Sequence, residues 1–312
     1  MKVLITCPPM LSMIGEFKSL FFNYGVNITT PNVVQTLSVE ELIKLVPEHD
    51  GWIIGDDPAT REVFEAGKRG KLKAAIKWGI GVDNVDFTAC KDLAIPIANT
   101  PNMFGAEVAD IAMGYVIGLA RQTFDIDRAV RYGQWSKPRG ISLEGKTAAL
   151  VGYGDIGKNT AKRLLTSSMK VIAYDPCIKE DHNLPEVQHA NWPERIQEAD
   201  FIIINCALTP SSYHLINSEL LQKTKMGARI INVARGPIID EAALENALES
   251  GQVFSAALDV FESEPLPLDS TLRKHPRCIF GSHNSSNTAD AVTRTSEIAV
   301  DKLMEFLGIK KC

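Results

Sequence analysis

Gly152-Tyr153-Gly154-Asp155-Ile156-Gly157 is a set of residues suited to holding phosphate. The run Thr147-Ala148-Ala149-Leu150-Val151 precedes it and reads as a strand, and a helical pattern with Ala161, Leu164 and Leu165 on one face follows. In that strand–loop–helix setting Gly152 permits the tight turn, Gly154 lets backbone approach a pyrophosphate, and Gly157 lets helix pack on strand. The anion then meets the amide-rich helix N-terminus formed by Asp155 and Ile156. An acid at the end of the next strand should complete the pattern, and Asp175 closes Val171-Ile172-Ala173-Tyr174, 23 positions beyond Gly152. A carboxylate there accepts from both ribose hydroxyls of an adenosine and repels a 2′-phosphate. No cation follows until Lys179, so the expected cofactor is NAD rather than NADP.

Three further residues carry chemistry of other kinds. His283 has an imidazole that titrates near neutral pH and passes a proton in either direction. Arg235 offers a planar fork that matches a carboxylate. Glu264 stands before Pro265. Taken one at a time, each has a plainer reading as a loop histidine, a surface arginine and a solvated turn. The six cysteines are scattered without a C-x-x-C pair, no metal site is expected, and a reducing cytoplasm is the expected compartment.

These groups need a scaffold, and 312 residues favour two domains. With 45% hydrophobic and 23% charged residues the composition is that of a globular protein. The net charge of −5 argues against a general nucleic-acid or membrane-surface binder. No apolar run reaches the ~18 residues of a membrane span. Short β-rich runs at 3–7, 26–29, 52–54, 74–78 and 95–98 alternate with helical patterns, and a second series follows at 147–151, 170–174, 201–205, 229–233, 254–258 and 277–280. Strands separated by helices imply parallel β-α-β units, here two α/β sets in tandem. Between them residues 105–121 form a helix apolar nearly all round, expected either in a core or against a second subunit. The pattern over 289–307 is a last helix of mixed polarity.

Four stretches carry a resemblance: Ile231-Asn232-Val233-Ala234-Arg235-Gly236-Pro237-Ile238-Ile239-Asp240, Ala257-Leu258-Asp259-Val260-Phe261-Glu262-Ser263-Glu264-Pro265-Leu266-Pro267, Ser282-His283, and Gly79-Ile80-Gly81-Val82-Asp83-Asn84-Val85-Asp86. With the glycine loop, the sequence resembles the D-isomer-specific 2-hydroxyacid dehydrogenases, the family of phosphoglycerate, glycerate and D-lactate dehydrogenases. The resemblance implies hydride transfer between NAD and carbon 2 of a small 2-hydroxy or 2-oxo acid. It makes His283 the proton donor to the nascent alkoxide, Glu264 the carboxylate that fixes the imidazole, and Arg235 the clamp on the substrate carboxylate. It assigns Asp259 to the nicotinamide carboxamide, lines the dinucleotide cleft with Cys206, Val233, Ala234 and Arg235, and turns the backbone of Gly79, Ile80 and Gly81 toward the substrate carboxylate.

The same resemblance implies two Rossmann-like or flavodoxin-like parallel-sheet domains. The substrate domain is discontinuous, 1–98 with 289–312, and the NAD domain, 99–288, is inserted into it. A cleft that closes over the substrate is expected, as is a homodimer formed through residues 105–121. No C-terminal regulatory domain of the kind found in some phosphoglycerate dehydrogenases is expected.

For a phosphorylated substrate such as 3-phosphoglycerate, Lys77, Lys137 and Arg139 are candidate phosphate ligands, whereas Gly55-Asp56-Asp57 would repel one; glycerate or hydroxypyruvate is the near alternative. The chain departs from the family in Ser282 and Ala207, both usually Pro, and in the polar run Asn284-Ser285-Ser286-Asn287. Two other functions stay open at this point: an NAD-sensing binding protein of the corepressor kind, and a relative acting on formate or phosphite.

Overall fold

The computed structural model describes residues 1–178 and 180–310. Lys179 and Cys312, which entered the reading above, lie outside them. The chain divides into two units, Met1–Met103 with Asn287–Cys312, and Phe104–Ser286.

The first unit is built on a five-stranded parallel sheet. Its strands are β1 (Lys2–Ile5), β2 (Asn27–Thr29), β3 (Gly51–Ile54), β4 (Ala74–Lys77) and β5 (Ile97–Asn99), in the order β2-β1-β3-β4-β5. This is the flavodoxin-like order, whose direction of winding reverses between β1 and β3. Helices cover both faces, so β3 and β4 are buried along their whole length and read as unbroken apolar runs up to Lys77. The C-terminal helix Ala289–Phe306 belongs to this unit. Thr288 caps it by accepting from the Ala291 N–H, and Ala299, Val300 and Leu303 are fully buried. Burying a Val or Leu side chain of this kind contributes roughly 1.5–3 kcal/mol. Trp78 Nε1 donates to Ser296 Oγ at 3.1 Å, which pins the end of β4 to that helix.

The second unit has seven parallel strands: β6 (Thr147–Val151), β7 (Lys170–Tyr174), β8 (Gln188–His189), β9 (Phe201–Ile204), β10 (Ala228–Asn232), β11 (Val253–Leu258) and β12 (Cys278–Phe280). Their order is β12-β11-β10-β9-β6-β7-β8. Winding runs outward from β6 in both directions, the Rossmann arrangement, with its switch point between β6 and β9. One core cluster runs from Ala149 and Val151 through Ile202, Ile204 and Ile230 to Leu258 and Cys278.

The helix Gly105–Arg121 buries Val108, Ala112, Tyr115, Val116 and Leu119 but leaves Ile111 and Ile117 exposed. It is therefore a covering helix, with two isoleucines among its outward residues. Gln122 ends it in the left-handed conformation, and a further helix, Thr123–Arg131, continues with no buried residue. Among the described residues no helix is long and apolar enough to cross a membrane. Cys7, Cys90, Cys177, Cys206 and Cys278 are unpaired.

Candidate active site

The glycine loop follows β6 and sits at the Rossmann switch point. Gly152 has φ +96°, and a Cβ there would lie 2.6 Å from the Cys206 nitrogen and 2.7 Å from its Cα. Glycine is required because the ends of β6 and β9 approach this closely. A Cβ on Gly157 would stand 2.3 Å from the Gly152 carbonyl oxygen, so helix Asp155–Thr166 could not seat on the loop. Gly154 differs, since a Cβ there would meet nothing within 4 Å. As the helix N-cap it supplies no side-chain hydrogen bond, which leaves first-turn N–H groups for an anion. Just after β9, both polar atoms of the Asn205 side-chain amide are buried with no protein partner. An open backbone approach and an unsatisfied polar group beside the loop fit a dinucleotide.

Asp175 ends β7 at the loop's edge. Its Oδ2 accepts from Tyr153 N–H at 2.9 Å, and its Oδ1 from Cys177 and Ile178 N–H at 2.8 and 3.1 Å. The Asp155 side chain is directed elsewhere. A Cβ on Gly105 would lie 2.3 Å from its carboxylate, so that carboxylate rests on the N-terminus of helix Gly105–Arg121, where negative charge is favoured. Cys206 is partly buried against the core, and burial pushes its thiol up to about 11.

The ends of β10, β11 and β12 bring Arg235, Asp259, Glu264 and His283 into one neighbourhood. After β10, the buried Asn232 side chain accepts from Ala234 N–H at 3.0 Å and donates to the Arg235 carbonyl at 2.9 Å. This clamp shapes the Val233–Arg235 turn, and sequence reading passed it over. A Cβ on Gly236 would fall 1.8 Å from the Phe261 carbonyl carbon, so the Arg235 turn packs directly on the segment leading to Glu264. His283 Nδ1 lies 2.7 Å from Glu264 Oε2, and Phe261 N–H donates to Glu264 Oε1 at 3.0 Å. His283 and Glu264, 19 residues apart in sequence, are both roughly three-quarters buried. A carboxylate on one imidazole nitrogen fixes the tautomer and directs the other nitrogen to its work.

Asp259 is 2% exposed and lies beneath this loop. Its Oδ1 accepts from Asn284 N–H at 3.2 Å, and its Oδ2 from Ser285 N–H at 2.9 Å and from Ser285 Oγ. The resemblance assigns this carboxylate to the nicotinamide, and in the protein it accepts from the backbone and the Ser285 hydroxyl of the loop that carries His283.

In the first unit, Gly79 has φ +118°, and its N–H donates to the buried Thr100 Oγ1 at 2.8 Å. Asn99 Nδ2 donates to the Ile80 carbonyl at 3.2 Å, which leaves the Ile80 side chain outward, with Gly81 half-buried beside it. Lys77 corrects an expectation. As a phosphate ligand it would need a presented ammonium, but it is 2% exposed at the end of β4. Its Nζ donates to the Gly55 carbonyl at 2.6 Å, the Trp78 carbonyl at 3.1 Å and Asp56 Oδ1 at 3.1 Å. Three donors meet three acceptors, so the cation is spent on the fold. Asp57 is likewise internal; Thr6 Oγ1, Leu37 N–H and Gly55 N–H all donate to it, while burial holds its pKa above the usual carboxylate range.

A glycine cradle at a Rossmann switch point, with an imidazole–carboxylate pair at the neighbouring strand ends, defines an NAD-dependent oxidoreductase. The family described as D-isomer specific 2-hydroxyacid dehydrogenase, NAD binding domain, matches residues 113–285. The chain is 39% identical over 279 residues to a hydroxypyruvate reductase of Thermotoga maritima, covering 88% of this chain and 90% of that one. A glyoxylate reductase of Thermofilum pendens is 35% identical over 279 residues, covering 86% of this chain and 82% of its own. The crystal structure of a Thermus thermophilus protein superposes with a TM-score of 0.87 at 29% identity, over 99% of this chain and 97% of that one. The chain belongs to the D-isomer-specific 2-hydroxyacid dehydrogenase family, and is an NAD-dependent oxidoreductase acting on a CH–OH donor.

Proposed function

We propose that this enzyme interconverts a small 2-oxo acid and its 2-hydroxy acid, and that the substrate carries no phosphate. The observation that carries the reading is the 2.7 Å contact between His283 Nδ1 and Glu264 Oε2 beside the Arg235 turn. Gly152, Gly154, Gly157 and the first-turn amides of Asp155 and Ile156 would hold the NAD pyrophosphate, Asp175 the adenosine ribose, and Cys206, Val233 and Ala234 the wall of the cleft. When bound, NADH supplies the hydride that arrives at carbon 2. As that bond forms, the carbonyl π pair moves onto oxygen, which takes a proton from His283 Nε2. Glu264 stabilises the charged ring before transfer and keeps the proton on Nδ1 after it. The Arg235 fork holds the substrate carboxylate and draws electron density from the 2-oxo group. The backbone of Gly79, Ile80 and Gly81 is assigned to carboxylate binding on the family resemblance, and the positive φ of Gly79 supports that loop's tight backbone approach.

The burial of Lys77 turns the substrate reading toward an unphosphorylated acid. Of the three cations offered to a phosphate, Lys77 is already neutralised by Asp56, while Lys137 and Arg139 are exposed, and a dianion that loses one of its expected cations is costly to hold. The relatives covered to 82–90% of their own length are named hydroxypyruvate reductase and glyoxylate reductase, whereas those named D-3-phosphoglycerate dehydrogenase, at 35–38% identity, are covered to 41–53%. NADH oxidation should be compared across glyoxylate, pyruvate, hydroxypyruvate and 3-phosphohydroxypyruvate, with an NADPH arm and with NAD-dependent oxidation of formate and phosphite. The expected result is kcat/KM at least as high for hydroxypyruvate as for its phosphate ester, with NADH preferred through Asp175. A clear advantage for the ester, a preference for NADPH, or turnover of formate or phosphite alone would each overturn the corresponding assignment.

We also propose a homodimer formed through helix Gly105–Arg121. Ile111 and Ile117 on its outer side, and Phe124 and Val130 on the next helix, are each 38–45% exposed, apolar area that a partner would cover. Sedimentation equilibrium should give twice the chain mass. A monomer at micromolar concentration would exclude this interface.

A further inference from the structure

His283 is held in a conformation that its side chain does not favour. Its φ is +54°, in the left-handed region, where a residue with a Cβ is strained by about 1–2 kcal/mol. Such a residue persists only where its surroundings over-determine it, and here the surroundings converge on Asp259. His283 N–H donates to the Asp259 carbonyl at 2.7 Å, and Gly281 N–H donates to Leu258 at 2.8 Å. Beyond the histidine, Asn284 N–H and Ser285 N–H reach the Asp259 carboxylate, joined by Ser285 Oγ. Tyr115, on helix Gly105–Arg121, brings its hydroxyl beside the same carboxylate. Burial and the adjacent Asp259 charge push the Tyr115 phenol above its ordinary pKa, so its hydroxyl keeps its proton. A Cβ on Gly281 would lie 1.9 Å from Asp259 Oδ1 and 2.6 Å from Tyr115 Oη, so carboxylate and phenol both press against the backbone where it leaves β12.

We infer that Tyr115 and Ser285 are positioning residues for His283, acting through the Asp259 carboxylate, which Ser285 hydrogen-bonds and the Tyr115 hydroxyl adjoins. The inference rests on the reading of His283 as proton donor. A carboxylate this deeply buried needs donors on both oxygens. Two backbone N–H groups come from the His283 loop and tie it to Asp259 at the end of β11, so the loop is only as well placed as that side chain. Tyr115 can brace that side chain, because it sits on a long helix packed across the sheet. Ser285 closes the loop back onto the braced carboxylate. This gives the polar run after His283 a physical reason: a residue without a hydroxyl at 285 could not make the second bond to Oδ2.

An alternative role for these donors, orienting Asp259 toward the cofactor amide, predicts a different pattern. The test uses Ser285→Ala, Tyr115→Phe and the double variant, with NADH affinity read by fluorescence and turnover by NADH oxidation. A displacement of about 1 Å at a reacting group costs ~10²-fold, so a partial loosening should lower kcat by about tenfold in each single variant. NADH affinity should stay within about twofold, and the double variant should lose less than the product of the single losses, since both act through one group. Single variants with kcat within about twofold of the parent would overturn the inference. So would NADH affinity falling in step with kcat. The His283 ring resonance in NMR supplies a readout independent of activity: it should move or broaden in both single variants. If no 2-oxo acid is turned over by the parent, the catalytic reading fails while the resonance still decides the positioning. An unchanged resonance refutes it.

Discussion

His283→Ala should lower turnover of a 2-oxo acid by about 10²–10⁴-fold, the usual range for loss of a general acid. NADH should bind as before, because its proposed contacts lie on the Gly152–Gly157 loop and Asp175. The size of the effect follows from the geometry: one imidazole nitrogen is taken by Glu264 at 2.7 Å, which leaves a single oriented nitrogen to protonate the alkoxide. Water can replace the proton but not its placement. Backbone strain is a competing cause of lost activity, since position 283 has φ +54°. Asn tolerates the left-handed region better than Ala, so His283→Asn separates the two causes. Both variants should be equally impaired if the proton is what matters. Recovery in His283→Asn to within about tenfold of the parent would assign the loss to the loop's conformation, and near-normal turnover in either would end the proton-donor role.

How much of this was legible beforehand depends on whether the signal is local. The cofactor loop announces itself because every constraint on it acts within a few residues: Gly152 turns, Gly157 packs under the Gly152 carbonyl, and the strand and helix on either side have their own periodicities. The alternation of apolar runs gave two parallel sheets for the same reason, since Phe201–Ile204 and Ala228–Asn232 are buried on both faces. Elements lacking such a signal escaped. Helix Thr123–Arg131 buries nothing, and β8 is two residues long. Helix Pro8–Ser12 is a single short turn opened by two prolines, which are well placed in a first helical turn. The His283–Glu264 pair spans two strands of a parallel sheet, a distance that no spacing rule contains, and it was reached only by resemblance.

Charge misleads where burial is hidden. Lys77 counts as a cation in the sequence, yet at the end of an internal strand its ammonium is consumed by Gly55, Trp78 and Asp56. Tyr115 misleads in the opposite sense. Its spacing marks it as one of the core residues of an apolar helix, and its ring is indeed buried, but its hydroxyl lies beside Asp259. Asn232 shows a third case, an amide inside an apolar strand end that shapes the Arg235 turn without touching any reacting group.

Arg235→Gln should lower kcat/KM for a 2-oxo acid by about 10²–10⁴-fold while NADH affinity is retained. A hydrogen bond to a charged group contributes about 1.5–3 kcal/mol, so a two-pronged clamp on a carboxylate is worth about 3–6 kcal/mol in all. At ~1.4 kcal/mol per decade this gives the stated range. The structure supports a clamp whose aim is fixed. Asn232 holds the backbone on either side, Gly236 seats the turn against Phe261, and Arg235 Nη1 donates to the Ala234 carbonyl at 2.8 Å, which sets the plane of the fork. Arg235→Lys tests the fork against the charge. A lysine keeps the positive charge but presents a single rotating ammonium, and it cannot bond one carboxylate side-on while braced by Ala234. Its kcat/KM should therefore stay more than about tenfold below that of the parent. A Lys variant within about threefold of the parent would mean that net charge alone binds the substrate. Loss of NADH affinity in step with kcat/KM would move Arg235 from the substrate to the wall of the cofactor cleft.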